Sequence, residues 1–146
     1  MNLQHTVEYT TMTPTNSNTI GNAGEFFAAS VLQREFKTIA VASSQSPFDL
    51  IAEDYSGLFF KCQVKTTENA TKVRNWTYWR WRTAKSYTQY APNEIDFFAL
   101  VALNAKLIYF CLPEDIKSKI FYIRENKLNA ELESSTFDRV LEKLRE

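Results

Sequence analysis

The segment SPFDLIAED, followed by Tyr55-Ser56-Gly57 and then by LFFKCQVKTT, constrains this chain more than any other stretch of it. Two alternating runs around a turn-forming Ser-Gly have the period of a pleated strand, so residues 46–67 read as a β-hairpin. Alternation places Lys61, Gln63 and Lys65 on one face and Phe60, Cys62 and Val64 on the other. With the turn centred on Tyr55 and Ser56, Asp49 stands opposite Cys62 or Gln63. A carboxylate, an amide and an ammonium therefore meet across the hairpin, and a sheet with one polar and one apolar face needs cover on the apolar side.

The neighbouring segments supply that cover. A helix capped by Asn18 or Thr19 is expected to run to about Phe36, with Ile20, Phe27, Val31 and Leu32 as its apolar stripe. Gly21, Gly24 and Ala28 leave room for close packing. After the β-rich run TIAVAS and the hairpin come RNWTYWRWR, read as a strand or hairpin arm, and two apolar strands, IDFFALVAL and KLIYFCLP. The last two are separated by an Asn104-Ala105 turn, stopped by Pro113, and expected at the centre of the sheet. Phe137, Val140, Leu141 and Leu144 recur at helical spacing near the C-terminus. The expectation is one α/β domain, an α+β sandwich over residues 18–146, preceded by a polar arm, residues 1–17, without apolar periodicity.

Composition narrows the function. Of 146 residues, 45% are hydrophobic, enough for a packed core, and no run approaches a membrane span or a secretory leader. Cys62 and Cys111 lie in apolar runs and suit neither a disulfide framework nor a zinc site, so an intracellular, cytoplasmic protein of a prokaryote or phage is expected. Net charge is zero, yet residues 61–90 carry Lys61, Lys65, Lys72, Arg74, Arg80, Arg82 and Lys85 against Glu68 alone. A basic segment interleaved with Trp76, Tyr78, Trp79 and Trp81 fits a nucleic-acid footprint, with core packing or a subunit interface as the competing role for the tryptophans.

Glu25, Asp49 and Gln63 are separated by 24 and 14 positions, and Lys65 follows two residues later. Hard divalent cations such as Mg²⁺, with Mn²⁺ as a substitute, take a few rigidly placed oxygen ligands and keep waters at the remaining positions. Glu25, Asp49 and Gln63 provide such oxygens, and the backbone carbonyl of Val64 adds another. Lys65, on the face of Gln63, is placed to orient or deprotonate an attacking water and to offset charge developing on a phosphate. Lone His5 has no partner of this kind. Asp96 serves equally well as a cap, a loop hydrogen-bonding residue or a chemical group.

Pro47-Phe48-Asp49 and Gln63-Val64-Lys65 together resemble the two halves of the PD-(D/E)XK nuclease motif. The start Gly21 to Glu25, the strand Gln63 to Thr67 and the strand Asp96 to Leu100 are similar to those of the group I intron-associated homing endonucleases of that superfamily. The likeness spans roughly residues 20–115. Phe48 intervenes between Pro47 and Asp49, and Gln63 stands where most of the superfamily has Glu or Asp. The resemblance implies a restriction-endonuclease-like αβββαβ core with a central mixed sheet flanked by helices. It also implies site-specific hydrolysis of double-stranded DNA, with Glu25, Asp49, Gln63 and Lys65 in the active site; the alternatives are a structure-selective junction or repair nuclease and a non-catalytic nucleic-acid-binding module with a degraded site. Lys61, Thr66, Lys72, Arg74, Trp76, Tyr78, Arg80, Arg82 and Lys85 are the expected DNA contacts. One active site per chain and two strands to cut imply a homo-oligomer, a dimer or tetramer.

Overall fold

The computed structural model describes residues 16–84, 90 and 93–146. Helix α1 spans Ser17–Leu32, and its N-cap is Asn16, whose side chain accepts from the Thr19 amide at 2.9 Å. The cap thus falls two residues before Asn18, because a capping side chain must precede the first turn whose free N–H groups it satisfies. Residues 33–36 turn away from the helix, with the Phe36 amide bonded to the Leu32 carbonyl. The buried line is Gly24, Ala28 and Leu32, an i, i+4 stripe, with Phe27 and Val31 packed at its edge. Gly24 is the packing glycine: a Cβ there would overlap the Thr66 hydroxyl, whereas one at Gly21 would meet open space.

Strands β1 (Thr38–Val41), β2 (Leu50–Glu53), β3 (Phe59–Thr67), β6 (Phe97–Ala102) and β7 (Leu107–Cys111) form a sheet in the order β1-β2-β3-β6-β7. Its one parallel pair is β3 with β6, in the register Gln63↔Phe98 and Lys65↔Leu100. The β2–β3 turn is centred on Ser56, since Leu50 pairs with Cys62. Asp54 closes it by accepting from the Ser56 and Leu58 amides and the Ser56 hydroxyl, and Gly57 takes the positive φ of 90° that the turn requires.

One face of this sheet buries Cys62, Val64, Phe97, Ala99 and Val101 under α1 and the C-terminal helix α2 (Ala130–Leu144). Helix α2 begins earlier than its apolar spacing shows, at a cap formed by Asn129, because its first turns meet the sheet through Leu132, Glu133 and Thr136 and carry no continuous apolar stripe. The other face buries Phe98, Leu100 and Ala102 under a second, three-stranded sheet, β4-β5-β8, made of Thr71–Val73, Trp76–Arg82 and Ile120–Arg124. Trp79 and Trp81 point into this interface, and Trp81 donates through Nε1 to the Val101 carbonyl at 2.9 Å. The crossover between parallel strands β3 and β6 carries the β4–β5 hairpin among its described residues.

Strand β6 is central, but β7 is an edge. Its outward amides are closed by side chains: Glu133 Oε1 accepts from Ile108 N at 2.6 Å, Thr136 Oγ1 from Phe110 N at 3.2 Å and Asp115 Oδ2 from Leu112 N at 2.8 Å. A wholly apolar strand can therefore sit at an edge without leaving buried donors unpaired or offering a template for another strand. Cys62 and Cys111 are both free and buried.

Candidate active site

The site forms where β2 and β3 part. Strand β2 begins at Leu50 while β3 runs on to Thr67, so the β2-facing amides of β3 beyond Cys62 have no strand partner. Asp49 takes over: its own amide donates to the Cys62 carbonyl at 2.9 Å, and its Oδ2 accepts from the Val64 amide at 2.8 Å. That bond fixes the carboxylate over the catalytic-type strand, and it accounts for an aspartate in an otherwise apolar run, where the residue is disfavoured. Glu25 arrives from α1. The Gly24–Thr66 contact holds the helix against β3 one residue before it, which brings Glu25 within electrostatic reach of Asp49.

Burial raises the Glu25 carboxyl above its ordinary pKa, and the charge of Asp49 raises it further. Asp49 is also raised, by burial first, against the lowering effects of the Val64 amide and the Lys65 charge. Two partly buried carboxylates, one of them raised further by the charge of the other, are a donor pair that a hard divalent cation would relieve, so the residues fit such an ion. Glu25, Asp49 and the Val64 carbonyl would hold it. Gln63 is buried, and its amide nitrogen lies 3.4 Å from the Val64 carbonyl, leaving its side-chain oxygen free to serve as a further neutral donor. Among the described residues no three His, Cys, Asp or Glu side chains cluster as a metal set, so a cation held here would need glutamine or backbone oxygen beside the two carboxylates.

Lys65 stands on the sheet face of Gln63, as alternation requires. Burial lowers its ammonium from the ordinary lysine value, and Asp49 opposes that shift. It donates to the Tyr90 hydroxyl at 3.0 Å and lies 5.4 Å from the centroid of that ring. Burial, then the charges of Asp49 and Glu94, push the Tyr90 phenol up to about 12, so it stays a neutral hydroxyl that can accept from the lysine. No sequence signal marked Tyr90, because 25 residues separate it from Lys65 and only the fold joins them.

The expected DNA contacts divide among three places. Thr66, Arg80 and Arg82, with Thr67, Thr71 and Ile120, line an open groove of about 410 Å³ immediately beyond Lys65 on the chain. Trp76, Tyr78, Arg80 and Arg82 share the outer face of β5, and Lys72 and Arg74 lie exposed on the β4–β5 hairpin. Lys61 is at the far end of β3, where its ammonium donates to the Asn93 carbonyl. Lys85, His5 and the polar arm up to residue 15 lie outside the described residues. Asp96 is structural here: its Oδ2 accepts from the Lys61 amide at 2.7 Å and its amide donates to the Lys61 carbonyl at 2.8 Å, locking the start of β6 onto β3.

A five-stranded mixed sheet flanked by helices, with Asp49 and the Gln63-Val64-Lys65 strand meeting at its opening, defines a PD-(D/E)XK-type nuclease fold. The family model for PD-(D/E)XK endonucleases matches residues 15–138, and the chain belongs to that family. Its structure is similar to that of a bacterial homing endonuclease, I-Ssp6803I, with a TM-score of 0.60 at 15% sequence identity over 75% of this chain and 76% of the other. No curated protein matches the chain in sequence. Among the described residues, no helix is long and apolar enough to cross a membrane.

Proposed function

We propose that this protein is a Mg²⁺-dependent endonuclease that hydrolyses phosphodiester bonds of double-stranded DNA at defined sites, as a homo-oligomer. The observation that supports the reading is the bond from the Val64 amide to Asp49, which fixes that carboxylate beside the strand of Gln63 and Lys65, with Glu25 within electrostatic reach. When bound there, a divalent cation supplies a Lewis acid for the phosphate and lowers the pKa of the attacking water. Glu25, Asp49, the Gln63 side-chain oxygen and the Val64 carbonyl hold and orient that ion. Lys65, tethered by Tyr90, aims its ammonium at the position where charge grows on the phosphate and keeps the water in line. Thr66, Arg80 and Arg82 guide the neighbouring phosphates along the groove beside it.

The resemblance to intron-associated homing endonucleases, together with the fold shared with a bacterial homing endonuclease, favours recognition of a defined site over general DNA degradation. The test is cleavage of a randomised plasmid library with Mg²⁺ by the wild type and by Asp49→Ala and Lys65→Ala. Each substitution is expected to lower the rate by at least about 10²-fold, because each removes a group acting on the transition state. Circular dichroism should show both variants folded. Wild-type cleavage by Asp49→Ala overturns the site.

A further inference from the structure

Strand β8 returns to the sheet some forty residues after β5, in a basic and aromatic run that holds Lys117, Lys119, Phe121, Tyr122, Arg124 and Lys127. Its register with β5 pairs Tyr78 with Arg124 and Arg80 with Tyr122. Since Trp79 and Trp81 of β5 and Phe121 and Ile123 of β8 face the core, the alternate residues all face outward. The outer surface therefore gathers Trp76, Tyr78, Arg80 and Arg82 with Tyr122 and Arg124. No carboxylate occupies an outward position of β4, β5 or β8, so the face carries three guanidiniums and no opposing charge from its own strands.

The aromatic groups on this face are organised and open. The Arg124 guanidinium lies 3.9 Å from the Trp76 ring centroid, and Tyr78 and Tyr122 meet edge to face at 5.8 Å. Trp76 is 49% exposed and Tyr122 48%. A core sheet would have turned these rings inward, and here that role is already taken by Trp79 and Trp81. Arg80 and Arg82 belong both to this face and to the groove that begins at Thr66, so the positive surface is continuous with the end of the catalytic-type strand.

We infer that the outer face of the β4-β5-β8 sheet is a docking surface for the phosphate backbone of a DNA duplex, with Arg124 and Tyr122 of β8 as its second half. The charge complementarity is with a polyanion: guanidiniums bond phosphate oxygens through a planar fork, and the aromatic side chains offer flat contact to sugars beside them. Cation stacking on Trp76 holds the Arg124 plane in place and so reduces the side-chain freedom lost on binding. The inference rests on the proposed nuclease function and adds the surface that positions the duplex for it.

The experiment measures affinity for a 30-base-pair duplex in EDTA, to prevent cleavage, over a series of salt concentrations. Wild type, Arg124→Gln, Tyr122→Ala and Lys143→Gln are compared, the last lying on α2, on the other side of the main sheet. Each phosphate contact contributes about 0.9 to the slope of log affinity against log salt. Arg124→Gln is expected to reduce the slope by about one unit, Tyr122→Ala to weaken binding with less change of slope, and Lys143→Gln to change neither. Thermal melting checks that each variant is folded. A slope unchanged by Arg124→Gln in a protein that still cleaves DNA overturns this surface and leaves the active site standing. Equal losses in Arg124→Gln and Lys143→Gln, or a loss seen with single-stranded oligonucleotide alone, also overturn it. A wild type that neither binds nor cleaves DNA overturns the nuclease reading and this surface together.

Discussion

Gln63 and Gly24 show how much a single side chain decides in this site. Glutamine offers a hard cation an oxygen but no charge, and Glu25 and Asp49 are the two carboxylates of the proposed set. Gln63→Glu restores a charge at the same length, so calorimetric titration with Mg²⁺ is expected to show tighter binding; unchanged affinity would exclude Gln63 as a ligand. Gly24 sets the distance of Glu25 from the sheet. In Gly24→Ala the new methyl group collides with Thr66, which is part of β3 and cannot swing clear. The helix must move outward, at a cost of about 1–3 kcal/mol in denaturant unfolding, and DNA cleavage should fall with it. Asp49, Gln63 and Lys65 were legible as a group because strand alternation and a short turn are local rules. Tyr90 was not, since its contact with Lys65 crosses the crossover connection.

At the scale of elements, the edge strand β7 depends on what α2 and the turn after Pro113 bring to it. Asp115 caps the Leu112 amide and forms a two-point ion pair with Arg139 of α2, at 2.7 and 2.9 Å. The Arg139 hydrogen bond holds the Asp115 carboxyl below its ordinary range; burial opposes it as the next-largest effect, and the Leu112 amide and the Arg139 charge lower it further. A carboxyl with a depressed folded-state pKa contributes stability above its unfolded value of about 3.9 and loses it as pH falls through the folded value. Arg139→Ala should therefore be less stable than wild type at neutral pH and converge with it in acid. The Arg139 side chain is half exposed, so the gap at pH 7 is expected at about 0.5–1 kcal/mol by urea unfolding. A gap that persists to the lowest pH would place Arg139's contribution in packing. The two helices and the strands β1, β2, β3, β6 and β7 follow from apolar period. Strand β8 does not: its place is fixed by its pairing with β5, which lies some forty residues earlier in the chain.

For the whole molecule, the proposed function gives one site per chain and two DNA strands to cut, and the expected outcome is an assembly of at least two chains. Light scattering with and without a target duplex checks this, and a strict monomer in both conditions would be inconsistent with double-strand cleavage in one encounter. The sequence by itself determined the hairpin with its turn near Ser56, the separation of Gln63 and Lys65 from Cys62 and Val64, and the outward Arg80 and Arg82, because each follows from a repeat of two residues along a strand. Only the tertiary structure decided that β7 is an edge, that Asp96 serves the backbone of Lys61, that Tyr90 holds Lys65, and that Arg124 stacks on Trp76. Those facts depend on which segments lie side by side after the parallel crossover and the return of β8. That choice is made by the burial of whole faces together, and no local spacing in the chain encodes it.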